Sequence, residues 1–242
     1  MATKKKSVKS ATAQSPMSSY FKKVFLTMAA AVGITALTCF VSIFTPLRDV
    51  IWPALIGANG MSGLYYILVF GGLGLIIYAQ VRMFSMSRSA VLGCLFAYSV
   101  LMGIVMMPMI LVALSIHPVL IMKAFIIAAA MLACMALFGY KTEQDLSFLR
   151  VFLLAGMIGL ILVGIASIIW PFGGTFAMVV SAIGVLVFAL FTAYDMQFLK
   201  RAFQSVPAEV ADRLVLAGAL HMYISFIAMF QYLLNLMALS RN

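Results

Sequence analysis

Seven apolar runs, each long enough to cross a bilayer, alternate along the chain with short polar or helix-breaking stretches. The runs cover residues 24–44, 63–81, 90–114, 119–140, 151–169, 175–195 and 214–239. A hydrocarbon core about 30 Å thick asks for about 20 apolar residues in helical form, so each run predicts one transmembrane helix. Between them lie Thr45 and Pro46, the basic stretch 82–88, His117 and Pro118, and the segments 141–150, 171–174 and 200–213. Each connection is short, which makes neighbouring helices antiparallel. The pattern predicts an all-α, polytopic seven-helix bundle over residues 24–242. Ahead of it, residues 1–23 are rich in Lys, Ser, Thr and Ala, with almost no large apolar side chain before Tyr20, and read as a mobile tail that buries no core. The first run is span-length and six more follow it, so a cleaved leader is not expected.

Composition narrows the class. The 242 residues are 65% hydrophobic and 9% charged, against roughly 45–50% and about 25% in soluble domains. A water-soluble fold is excluded, and no room is left for a separate soluble domain. The formal charge of +10 is distributed unevenly. With the tail on the cytoplasmic side, thirteen basic residues fall inside: six in the tail, then Arg82, Arg88, Lys141, Arg150, Lys200, Arg201 and Arg213. Only Arg48 and Arg241 fall outside, while Lys123 sits in the fourth run near its outer end, where its stem can snorkel. The asymmetry predicts a cytoplasmic N-terminus and an external C-terminus, and an inner (cytoplasmic) bacterial membrane suits the short loops. It is no nucleic-acid footprint, because no basic stripe with interleaved aromatics follows.

In a bilayer the informative side chains are the polar ones left inside the spans, since burying them without partners costs several kcal/mol. Asp49, Glu143, Asp145, Glu209 and Asp212 fall in loops or at helix ends; only Asp195 belongs to a strongly apolar run. Ala177, Ser181, Gly184, Phe188, Thr192 and Asp195 recur at helical steps and share one face, as do Gly218, His221, Ser225, Ala228, Tyr232 and Asn235 on the last run. Small residues permit close approach and hydroxyls bond across it, so these two faces are expected to meet inside the bundle. For the small residues packing suffices as an explanation; for Asp195 and His221 a functional role is equally supported.

Enzymatic constellations are missing. Tyr194 and Asp195 resemble half of an intramembrane aspartyl protease site, but no second membrane aspartate completes it. There is no Gly-x-Ser-x-Gly elbow, and two histidines a hundred residues apart give no metal spacing. His117, before Pro118, reads as a solvated or capping residue. Gly71, Gly72 and Gly74 lack the Lys and Ser or Thr of a phosphate loop, so helix packing is the expectation for them. Cys39, Cys94 and Cys134, odd in number and inside apolar runs, read as small apolar side chains rather than a disulfide or zinc set. The nineteen methionines, Met106, Met107 and Met109 among them, read as adaptable packing. No catalysis, cofactor or resident metal is expected.

Several segments, in order, resemble the Bax inhibitor-1 family, the transmembrane Bax inhibitor motif proteins, with their bacterial YccA-type members. They are RMFSMS at 82–87, YSVLMG at 98–103, residues 124–146 with FGYKTEQDL, FLLAGMIGL at 152–160, SAIGVLVFALFTAYD at 181–195 and GALHMYISFIAMFQYLLNL at 218–236. The resemblance runs from about residue 20 to the end and implies a seven-helix membrane protein that leaks calcium and responds to pH. It also implies a link to stress regulation, since eukaryotic relatives suppress cell death and a bacterial relative restrains a membrane-bound AAA protease. In the family's pH sensor two membrane aspartates on the last two helices share a proton. Asp195 matches the first, but Ser225 stands at the second and Ala228 at the neighbouring family Asn.

This departure removes the like-charge interaction that raises a carboxyl's proton affinity. A shared-proton switch is unavailable. His221, one turn before Ser225 on the same face, is the expected substitute partner for Asp195. Calcium prefers six to eight oxygens, so Asp195 with Thr192, Ser225 and backbone carbonyls would give only a weak, passing contact. Two readings stand from the sequence. One is a pH-sensitive calcium or cation leak with a single-Asp sensor formed by Asp195, His221, Ser225 and Thr192. The other is a non-conducting regulator that binds a membrane protein such as a membrane-bound AAA protease.

Overall fold

The computed structural model describes the side chains of residues 17–57, 60–82, 85–170, 172–205 and 212–240, and in addition the backbone of 2–16 and 208–211. Helix α1 (Ala2–Phe44) leads into a short helix α2 (Arg48–Leu55) and a two-residue hairpin, β1 (Ile56–Gly57) with β2 (Gly60–Met61). Then come α3 (Gly63–Arg82), α4 (Arg88–Val105), α5 (Met107–Ile116), α6 (Val119–Lys141), α7 (Leu149–Ile169), α8 (Gly174–Ser205) and α9 (Ala208–Leu239). Seven of these, α1, α3, α4, α6, α7, α8 and α9, carry stretches long and apolar enough to span a membrane. The protein is a polytopic all-α membrane protein.

Four boundaries differ from the pattern-based expectation. The run 90–114 is not one helix. Pro108 has no N–H to give and its ring collides with the preceding turn, so α4 ends at Val105 and Pro108 falls in the first turn of α5. The stretch between residues 45 and 62, expected to be loop, holds α2 and the hairpin, where Gly60 takes a φ of +130° that favours glycine. The charges at 200–213 do not mark a long loop, since α8 continues to Ser205 and α9 begins at Ala208. At the N-terminus, Tyr20 and Phe21 are buried, so the packed part of α1 begins ahead of residue 24. The side chains of 1–16 lie outside the described residues.

Helix α9 is the axis of the bundle. Of its most apolar stretch 78% is buried, against 6% for α7, and α8, α1 and α6 pack around it. The peripheral helices pack mainly on one neighbour each, α3 on α4 and α7 on α8. Small residues set the closest approaches: a side chain at Gly139 would collide with the Ala193 backbone of α8, one at Gly103 with Thr35 and Thr38 of α1, and one at Gly184 with the Tyr232 ring of α9. Gly218 faces Leu199 of α8 and Val24 of α1. In α3 only Gly72 touches a neighbour, Tyr98 and Leu101 of α4, whereas Gly71 and Gly74 meet nothing within 4 Å, so close packing does not explain all three glycines.

Polar side chains bridge the core helices. Thr35 shares a 2.7 Å hydrogen bond with the Tyr223 hydroxyl and donates to the Ser99 carbonyl at 3.0 Å, tying α1, α4 and α9. Asn235 donates to the Ser181 hydroxyl at 3.0 Å across α8 and α9. Bonds of this kind contribute on the order of 1 kcal/mol each inside membrane proteins. The three cysteines are free, Cys39 buried and Cys134 exposed.

Candidate functional site

Charged side chains gather at the end of the bundle where α4, α7 and α9 begin and α1 carries Lys23. Asp212 of α9 lies 3.7 Å from Lys23 and 3.4 Å from Arg88. Nearby, the α6–α7 connection is latched onto the extended part of α8. The Gln197 carboxamide accepts from the Leu146 N–H at 2.9 Å and donates to the Gln144 carbonyl at 2.7 Å. Lys200 donates to the Tyr140 carbonyl at 2.7 Å and sits over the Tyr140 ring, and Arg201 bonds Asp145 at 2.7 Å. The Ser147 hydroxyl, Arg201 and the Ser147 N–H together hold the Asp145 carboxyl at about 2, below its ordinary 3.8. Lys23, Arg88, Lys200 and Arg201, four of the basic residues assigned to one side from the sequence, take part in these contacts.

One turn and a half into the bundle from that end, α8 presents Asp195. The carboxylate is buried to 6% exposure, and its Oδ1 lies 3.2 Å from Nδ1 of His221 on α9. That distance is a hydrogen bond in which Nδ1–H donates, charge-assisted when the ring is protonated. The pair forms because Asp195 and His221 occupy the facing small-residue sides of α8 and α9, the two helices in most extensive contact. Both line a cavity of about 300 Å³ bordered by α3, α7, α8 and α9. Ser225 lies on its wall one turn beyond His221, its hydroxyl free of any hydrogen bond to a described residue.

Thr192 is not part of this wall. It is wholly buried and its hydroxyl donates back to the Phe188 carbonyl at 2.9 Å, so its oxygen is already engaged within its own helix. The candidate constellation therefore shrinks to Asp195, His221 and Ser225. In exchange the structure adds Gln80 from α3, Arg150 from α7 and Tyr194 from α8, all lining the same cavity. Arg150 reads from sequence as a loop charge and Gln80 as the polar end of a span. The one legible signal for Arg150 is its spacing of four and seven residues from Leu154 and Met157, which line the cavity with it.

Chemically, the site offers one carboxylate, one imidazole, one guanidinium and a hydroxyl around a half-open space. A calcium ion passing through would find a single anionic oxygen group where six to eight oxygens suit it. Among the described residues no three His, Cys, Asp or Glu side chains converge. His117 caps α5 and its Nδ1 accepts from the Val119 N–H at 3.3 Å, far from this site in sequence and on the opposite loop.

Residues 17–242 match the protein family described as "Inhibitor of apoptosis-promoting Bax1". The chain is 30% identical over 225 residues to an uncharacterized membrane protein of Streptococcus pyogenes serotype M1, covering 91% of this chain and 92% of that one. It is 29% identical over 172 residues to the inner membrane protein YbhL of Escherichia coli K12, covering 70% and 72% of the two chains. A protein of Deinococcus radiodurans is 34% identical over 152 residues, 61% of this chain and 63% of the relative.

Proposed function

The chain belongs to the Bax inhibitor-1 family, and from that premise we propose that it is a pH-sensitive leak for calcium or other cations whose sensor is the Asp195–His221 pair. The observation that carries this reading is the buried carboxylate held 3.2 Å from an imidazole on the wall of a cavity that reaches toward the charged end. A lone ionised group at that depth costs several kcal/mol and is retained where it serves ion passage. Protonated, His221 clamps Asp195 as an ion pair, and together with Arg150 it presents net positive charge to an incoming cation. Above its pKa, His221 is neutral, the clamp weakens and the carboxylate becomes available. Arg150 and the Tyr194 phenol are the other charged and titratable groups lining this wall. Flux therefore rises with pH.

The competing reading is a non-conducting regulator that holds a membrane protein partner, for instance a membrane-bound AAA protease. It is favoured by the exposure of α7, where Val151 and Phe152 each stand 72% exposed. Calcium flux into proteoliposomes between pH 5 and about 8, the range around histidine's ordinary pKa, separates the two. The leak reading expects flux that climbs through this range, a flattened climb in His221→Gln, and a second titration in Ser225→Asp, which restores a carboxyl pair. Wild-type protein that carries no calcium at any pH gives the regulator reading precedence. In cells, the proposed orientation places the charged end in the cytoplasm.

A further inference from the structure

A second cavity, of about 500 Å³, is lined by α3, α4, α7 and α9, farther from the charged end. On every helix the two cavities share, the residues fall in consistent order. The inner cavity takes Gln80 from α3, Met157 from α7 and Ser225 from α9; the outer takes Leu73, Ile161 and Gln231 from the same three helices. Along α9 the interval is six residues, about 9 Å at the helical rise, and along α7 four residues, about 6 Å. At intermediate height stand the side chains of Ile76, which is 6% exposed, and Ala228. A septum of one to two helical turns, made of apolar side chains, thus separates two openings.

The outer cavity has a polar floor in an otherwise apolar setting. Gln231 of α9 is half-buried, lines it, and makes no hydrogen bond to any described residue. The Tyr65 and Tyr98 hydroxyls, on the same lining, also make no hydrogen bond to a described residue. Among the described residues only the Tyr20 hydroxyl is sealed off without a partner, so the Gln231 carboxamide and both phenols reach the cavity space. An amide at membrane depth with no partner costs several kcal/mol unless something polar solvates it. Lipid tails cannot.

We infer that the outer cavity is a water-filled vestibule open to the face opposite Lys23, with Gln231 as its polar station for a hydrated cation, separated from the Asp195–His221 cavity by a thin apolar septum. That a cation uses it rests on the leak reading; that it holds water does not. The Gln231 carbonyl oxygen and the two phenol oxygens are neutral ligands, suited to exchange water around a cation without holding it. Charge selection then falls to Asp195, and the outer station governs how easily an ion approaches.

The test reads water access independently of flux. Cys39, Cys94 and Cys134 are replaced by Ala in the full chain, and single variants Gln231→Cys, Ile161→Cys, Ser225→Cys and Leu162→Cys are placed in membrane vesicles of known sidedness. A membrane-impermeant, positively charged methanethiosulfonate reagent is applied to each face in turn. Thiolate, the reactive form, arises only where water reaches. Gln231→Cys and Ile161→Cys are expected to react from the face opposite Lys23, at least about tenfold faster than Leu162→Cys, whose position is 59% exposed on the outer surface of α7. Ser225→Cys is expected to react from the Lys23 face. The inference is overturned if both outer-cavity variants react no faster than Leu162→Cys, or react equally from the two faces. Should Gln231→Cys fail to fold, Ile161→Cys carries the decision. In parallel, Gln231→Leu is expected to lower calcium flux several-fold while leaving its pH midpoint in place. If no chain conducts but the labelling pattern holds, the leak reading fails and the vestibule stands.

Discussion

Adding a single methyl group at chosen glycines tests the helix contacts that hold Asp195 in place. At Gly139 of α6 a new Cβ would lie 2.8 Å from Cα and carbonyl carbon of Ala193, and closer still to its carbonyl oxygen. Ala193 is two residues before Asp195, and backbone cannot rotate aside. At Gly184 the new Cβ would come 2.6 Å from the Tyr232 ring, which is a side chain with some freedom to move. At Gly159 of α7 nothing lies within 4 Å. Replacing Gly with Ala in a helix interior gains about 0.8–1 kcal/mol from backbone propensity, and over-packing costs about 1–3 kcal/mol. Gly159→Ala shows only the gain. Gly184→Ala nets between about zero and a 2 kcal/mol loss, and Gly139→Ala, which forces α6 and α8 apart, a loss of about 2 kcal/mol or more. At roughly 2–4 °C per kcal/mol for a chain of this size, purified Gly139→Ala in detergent should melt at least about 4 °C below the parent, and Gly159→Ala at or slightly above it. Equal melting of Gly139→Ala and Gly159→Ala would refute the backbone contact between α6 and α8.

Three further expectations follow from the same geometry. Gly184→Leu should destabilise the protein more than Leu186→Ala, because residue 184 faces Tyr232 while Leu186 is 62% exposed; equal losses in detergent melts reject the assigned face. The Asp145 carboxyl, held at about 2 against an ordinary 3.8, stabilises the folded α6–α7 connection fully above the ordinary value and loses that contribution as pH falls through the lower one. The melting difference between wild type and Asp145→Asn should therefore be small, as befits an exposed pair, constant from neutral pH to about pH 4, and vanish in stronger acid. A reporter fused at Asn242 should be active outside the cytoplasm if the basic asymmetry sets the orientation; a fusion active only in the cytoplasm contradicts it.

The seven spans were legible because apolar runs of span length leave little choice in a bilayer, and the pairing of α8 with α9 was legible because small and polar residues recur on one face of each. The position of His221 against Asp195 followed from helical spacing. Other features were hidden for physical reasons. Residues 90–114 carry an unbroken apolar signal, and only the stereochemistry of Pro108 divides them. Lys200 and Arg201 look like loop charges, yet they extend α8 by reaching the Tyr140 carbonyl and Asp145. Thr192 shares the helical face of Asp195, but periodicity cannot say that its hydroxyl is already spent on Phe188. Arg150 and Gln80 meet Asp195 and His221 on one cavity wall only in three dimensions, across helices that are distant in sequence.

Whether Asp195 passes ions is read most directly by calcium flux into proteoliposomes of the wild type and Asp195→Asn side by side, at about pH 8, where an ordinary histidine is neutral. The substitution keeps the side chain's size and a hydrogen-bonding oxygen for His221 while removing the one carboxylate held within the spans. Loss of most of the wild-type flux, with an unchanged melting temperature, is the predicted result. Flux in Asp195→Asn equal to that of the wild type would contradict the assignment of Asp195 to the pathway.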